Sequence, residues 1–168
     1  LGANIEGSEN TAVGRNAMQA NTSGGDNVAF GNAALYSNTT ASNNTAVGSA
    51  ALLSNTTGTE NTAVGANAGD ACTTGDYNSA FGKDALGATT TADHNTAVGR
   101  IAMALNTTGA ENTAVGSKAL YSNSTASYNT AVGKDALTTN STGASNTAVG
   151  KSALAVNTVN DNTAVGYN

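Results

Sequence analysis

The sequence predicts an all-β fold, a parallel β-solenoid or β-roll of about ten coils of 17 residues each. The first observation is a repeat. The stretch Asn61-Thr62-Ala63-Val64-Gly65 recurs along the chain, opened each time by an asparagine: Asn10, Asn27, Asn44, Asn61, Asn78, Asn95, Asn112, Asn129, Asn146 and Asn162. Successive copies start 17 residues apart until the last step, which is 16. The second observation is that apolar residues keep fixed places within the period, which argues for an ordered stack over a disordered low-complexity chain. The third is composition. Gly, Asn and Thr are too frequent for helical coils, and 17 residues hold two short strands and two turns.

The consensus coil reads N-T-A-V-G-x-x-A-L-x-x-N-T-T-G-x-x. Position one is the asparagine. Position four is always Val or Phe: Val13, Phe30, Val47, Val64, Phe81, Val98, Val115, Val132, Val149 and Val165. Strand alternation puts positions two and four on one face, and their apolar character predicts that this Thr/Val face points inward. Gly at position five, as in Gly14 or Gly65, ends the strand. The Ala-Leu pair at positions eight and nine predicts a second short strand or extended segment, and Asn-Thr-Thr-Gly a second turn. Gly69 replaces the position-nine Leu, and the Phe81 ring of the next coil is expected to fill that space. Stacked in register at about 4.8 Å, identical residues form ladders. One is built from the position-one asparagines. A second, at position twelve, runs through Asn21, Asn38, Asn55, Asn106, Asn123, Asn140 and Asn157. Each coil buries little, so association of several chains is expected to add burial.

Only 10% of residues are charged, against roughly 25% in an ordinary globular protein. A net charge of −5 with six Lys and Arg argues against a nucleic-acid groove. No apolar run is long enough to span a bilayer, so no membrane insertion is expected in this segment. No signal peptide is visible, and a start at Leu1 suggests a processed chain or a piece of a longer one.

No constellation of residues calls for catalysis, a metal or a cofactor. Cys72 and His94 are single residues of their kinds, on adjacent coils. Cys72 stands where the position-twelve ladder has Asn, and His94 shares a surface position with Asp26, Glu60, Glu111 and Asp161. A Cys-His nucleophile would need an orienting third group. Asp84 and Asp135 share a position but lie three coils apart, and no loop gathers the carboxylates that calcium needs. Sequons at position twelve read better as ladder and turn than as a row of glycans spaced by about 4.8 Å.

With these residues in view, the chain resembles two groups of proteins. Asn61-Thr62-Ala63-Val64-Gly65 resembles the N-S-V-A-I-G-like motif of trimeric autotransporter adhesin heads, one residue shorter. Together with Ala34 to Thr40, it also resembles the repeats of phage tail-fibre proteins. The resemblance implies a left-handed β-roll, three chains side by side, in an extracellular fibre. Residues 1–168 are then a single repeat domain and part of a longer fibre. The Asn162–Asn168 and Leu1–Glu9 segments join into one 16-residue coil, which predicts end-to-end stacking with an axial repeat of roughly 45–50 Å. The expected function is a structural and adhesive fibre module on a cell surface or virion, without catalysis. Its partners would be further copies of itself and a host-surface glycan or receptor. The alternative is an ice- or glycan-binding solenoid, provided that Thr62, Thr96, Thr113 and their counterparts face outward.

Overall fold

The computed structural model describes residues 2–167. Its strands are β1 Thr11–Val13, β2 Val28–Phe30, β3 Thr45–Val47, β4 Thr62–Val64, β5 Ser79–Phe81, β6 Thr96–Val98, β7 Thr113–Val115, β8 Thr130–Val132, β9 Thr147–Val149 and β10 Thr163–Val165. They form one parallel sheet in the order β1 to β10. The register pairs like with like, for example Ala46 with Ala63 and Val47 with Val64. The chain is a β-solenoid of stacked coils, as the period predicts. Leu1 and Asn168, which take part in the expected joint between chain ends, lie outside the described residues.

The third coil shows how the backbone is satisfied. Thr45 N donates to Asn61 O at 2.8 Å, Leu52 N to Ala68 O at 3.0 Å and Thr56 N to Thr73 O at 2.9 Å, all one coil ahead. Gly48 N donates back to Phe30 O at 2.8 Å and Ala50 N to Asn32 O at 2.9 Å. Stacking is therefore maintained around the whole coil, not only at the strands, and a buried peptide group finds its partner in a neighbour.

Three sequence expectations are corrected. The first is the facing of the strand. The central Ala points inward: Ala29, Ala46, Ala63, Ala80, Ala97, Ala114, Ala131 and Ala148 are buried. The position-four residues face out. Val13, Phe30, Phe81, Val98, Val115, Val132, Val149 and Val165 are exposed and Val47 and Val64 half-buried, so none of the ten is core. Alternation ties positions one and three to the same side, and the position-one amide is needed inside. Asn44 Nδ2 donates to Gly58 O at 2.9 Å within its own coil, and its Oδ1 accepts from Asn61 N at 2.9 Å in the next. With Asn inside, Ala follows it in and Thr and Val turn out.

The second correction is the second strand, which does not form. Ala51 and Leu52 are adjacent and both buried, which alternation forbids. The backbone achieves it with left-handed residues, φ 57° at Ala50 and 48° at Leu52, and the pattern recurs at Ala33 and Leu35 and at Asp135 and Leu137. Left-handed β-branched or bulky residues are costly. Here the stack of buried Met18, Leu35, Leu52, Leu86, Met103, Leu120 and Leu137 opposes that cost, since these side chains and the alanines make up the apolar core. The third correction concerns Phe81, which is 41% exposed and does not fill the space at Gly69. Leu52 does so instead: its Cδ2 lies 3.1 Å from where a Gly69 Cβ would sit.

Both asparagine ladders form. In the position-twelve ladder an amide donates to the amide below, Asn38 to Asn21 at 2.8 Å and Asn123 to Asn106 at 2.8 Å, and also to the carbonyl three residues on. At the last rung Asn157 donates to Val159 O at 2.9 Å instead and leaves Asn140 Oδ1 without a donor. Cys72 and Thr89 interrupt it. The Cys72 thiol sits 3.6 Å from Gly75 O and Thr89 donates to Asn106 O at 3.2 Å, leaving the buried Asn55 Oδ1 without a donor. Cys72→Asn alone should be close to neutral, because the orphaned acceptor merely moves up one coil. Cys72→Asn with Thr89→Asn should complete the ladder and stabilise the fold by about 1–2 kcal/mol beyond the sum of the single changes. Chemical denaturation of the two single variants and the double variant measures that coupling.

Candidate functional site

The surface that the sheet turns to solvent is the candidate site. Its side chains come from positions two and four of every strand, so it carries a rank of Thr and a rank of Val or Phe, running parallel to the rod axis. Neighbours along a rank are separated by the strand spacing, about 4.8 Å, and the two ranks by two residues of extended chain, roughly 6.6 Å. The ranks are continuous because the register is unbroken from β1 to β10. Two coils depart from Thr and Val together: β2 carries Val28 with Phe30, and β5 carries Ser79 with Phe81. From β6 to β10 the face is Thr and Val without interruption.

The hydroxyls on this face differ from those elsewhere. At position thirteen, Thr39 donates to Thr56 O, Thr56 to Thr73 O and Thr73 to Thr90 O, each at 3.0 Å, so those hydroxyls brace the stack. No such bond within the described residues occupies the hydroxyls of Thr45, Thr62, Thr96, Thr113, Thr130 or Thr147, which stand half-buried between their neighbours. They remain available to a ligand or to water.

No charged side chain stands on the face, but charge flanks it. All the basic residues follow the strands: Arg15, Lys83, Arg100, Lys134 and Lys151 directly after the position-five glycine, and Lys118 one residue further. Most carboxylates precede them, with Glu9, Asp26, Glu60, Glu111 and Asp161 directly before the position-one asparagine and Asp76 and Asp93 one residue earlier. The Lys83 ammonium, 2.9 Å away, and the Asn67 amide hold the Asp84 carboxyl below its usual range. Burial pushes Asp70 up.

The residues considered for chemistry lie apart from this face. Cys72 is buried, and burial pushes its thiol up to about 11. It stays protonated at pH 8, and iodoacetamide should leave it unmodified in native protein and label it once denaturant unfolds the chain. Mass spectrometry of the alkylated protein reads this directly. His94 is exposed and stacks on Tyr77, ring centroids 4.8 Å apart and planes within 1°. Among the described residues no group of three His, Cys, Asp or Glu side chains is placed to hold a metal ion. No helix there is long and apolar enough to cross a membrane.

The sequence expectations therefore placed the two ladders and missed the face. The signal that reveals it was present: an Ala-Leu pair conserved in place through the coils cannot alternate, so core-forming residues lie outside the strand and leave the strand's own Val free to turn out. No protein-family model, curated protein or solved structure matches this chain.

Proposed function

We propose that the chain is a structural and adhesive rod module that attaches through its flat Thr/Val face. The observation that carries this reading is the unbroken register of ten strands behind uncharged side-chain ranks. A solenoid whose backbone bonds run between coils resists bending and local fraying, and a continuous, uncharged face suits contact with an extended surface. The module would work outside the cell, on a cell surface or a virion, without catalysis. Self-association, end to end or as a homotrimer, would multiply the Thr/Val face along or around the fibre, and a host glycan or receptor is the second class of partner. Negative-stain electron microscopy of the isolated chain should show short rods with a length of roughly 45–50 Å. Compact globules of no defined axis would rule the reading out.

A second reading is favoured by one specific observation, the outward Thr ranks with unoccupied hydroxyls. Paired ranks of hydroxyl and methyl groups at regular spacing can order water, so the face would bind ice or a regular glycan. Thermal hysteresis and a glycan array distinguish those ligands from protein self-contact. Thr113→Lys and Thr130→Lys place charge on the face without touching the core and should abolish either activity.

A further inference from the structure

The two edges of the sheet carry opposite charge, and the segregation follows the strand direction. On the trailing edge stand Arg15, Lys83, Arg100, Lys118, Lys134 and Lys151. On the leading edge stand Glu9, Asp26, Glu60, Asp76, Asp93, Glu111 and Asp161. Internal pairing cancels only part of this. The ion pairs among the described residues are Lys83 with Asp84 at 2.9 Å and Lys134 with Asp135 at 3.5 Å, both within the trailing edge. Arg100 and Lys118, and opposite them Glu60 and Glu111, are exposed and take part in neither.

We infer that copies of this chain associate side by side in parallel, the basic trailing edge of one rod against the acidic leading edge of the next. The inference rests on the self-association reading above and names its contact. Polarity follows from the charges. Turning one rod end for end in the plane of the sheet would bring trailing edge to trailing edge, so like charge would meet like charge at every level. With the attaching Thr/Val faces on the same side, only the parallel arrangement sets opposite charges together. Because the two contacting edges differ, the contact is head-to-tail around the rods, which closes into a ring or extends as a flat array. Either outcome keeps the Thr/Val faces of neighbouring copies aligned. A single exposed ion pair contributes little, but along two parallel rods the pairs recur over several coils and repulsion excludes the reversed arrangement. A polyanion such as nucleic acid or an acidic membrane is a poorer occupant of the basic edge, since the rest of the molecule is acidic and the net charge is −5.

Sedimentation of the purified chain tests this, since exposed charge contacts weaken as salt shortens the screening length. The wild type should associate at low ionic strength and dissociate when salt is raised. Arg100→Glu with Lys118→Glu cancels the basic excess of the trailing edge, and Glu60→Lys with Glu111→Lys makes the leading edge less acidic. Each double variant alone should associate more weakly than the wild type while keeping its circular dichroism. Mixing the two should restore association. A wild type that stays monomeric at low salt overturns the inference, as do variants that associate like the wild type or a mixture that does not recover. Rods in the electron microscope would still support the rod module in all these cases, so the two readings fail separately.

Discussion

Asn44→Ala should lower stability by about 2–4 kcal/mol, because the buried Asn61 N loses its partner and Gly58 O loses one of its two donors. Asn44 is fully buried, and its side chain bridges two coils. Its Oδ1 accepts from Asn61 N at 2.9 Å, and its Nδ2 donates to Gly58 O at 2.9 Å. Asn61 N has no water to turn to and is left with its full desolvation penalty, while Gly58 O keeps the Asn55 amide at 2.9 Å. The comparison with Asn44→Asp separates the two contributions. Aspartate keeps an acceptor for Asn61 N but sets a buried negative charge against Gly58 O, so its cost should be at least as large near neutral pH. Urea denaturation followed by circular dichroism measures both. A loss below about 1 kcal/mol for Asn44→Ala would show that the amides fill space and do not close the coil.

Gly65→Ala is the second large effect, expected at about 3 kcal/mol or more. Gly65 has φ +137°, a region that a residue with a Cβ avoids. Space is lacking as well: the added methyl would sit 2.7 Å from the Gly82 carbonyl carbon and oxygen and 3.1 Å from Lys83 N. These are backbone atoms of the next coil, held by Gly82 N donating to Val64 O at 2.8 Å, and they cannot swing aside as a side chain would. The coils would have to separate locally, and the strand pairing of β4 with β5 would weaken with them. A melting temperature near the wild type's would show that the position-five glycine serves only as a strand end. The left-handed Leu52 and Leu86 do not predict tolerance here, because their φ values of 48° and 52° lie in the ordinary left-handed region that non-glycine residues enter at moderate cost.

These two positions were legible in the sequence for the same reason. Asn and Gly recur at fixed places because stacking brings each against its own copy, and few residues satisfy that contact. Cys72 was also legible, as an exception within a ladder. The Phe81 expectation failed because it followed from volume alone: a missing Leu at Gly69 invites a larger neighbour, yet strand alternation points Phe81 the other way and Leu52 leans into the gap. The segregation of charge to the two sides of the strand was printed in the sequence but acquires meaning only once those sides are known to be the two edges of one face.

What the sequence by itself determined is the period, the parallel stacking and the two asparagine ladders. A strict repeat makes every residue its own neighbour, so contacts along the axis follow from the order of residues. What only the tertiary structure decided is the direction across the axis. Asn-Thr-Ala-Val-Gly alternates in two ways, and hydrophobicity favours burying Val and Thr. Closing a thin coil favours the other: the interior takes an amide at Asn44 to hold the Gly58 carbonyl and a methyl at Ala46, with Leu52 brought in by a left-handed turn. That closure joins positions fourteen residues apart, a contact that no local pattern contains, and it is why the Thr and Val ranks stand on the outside.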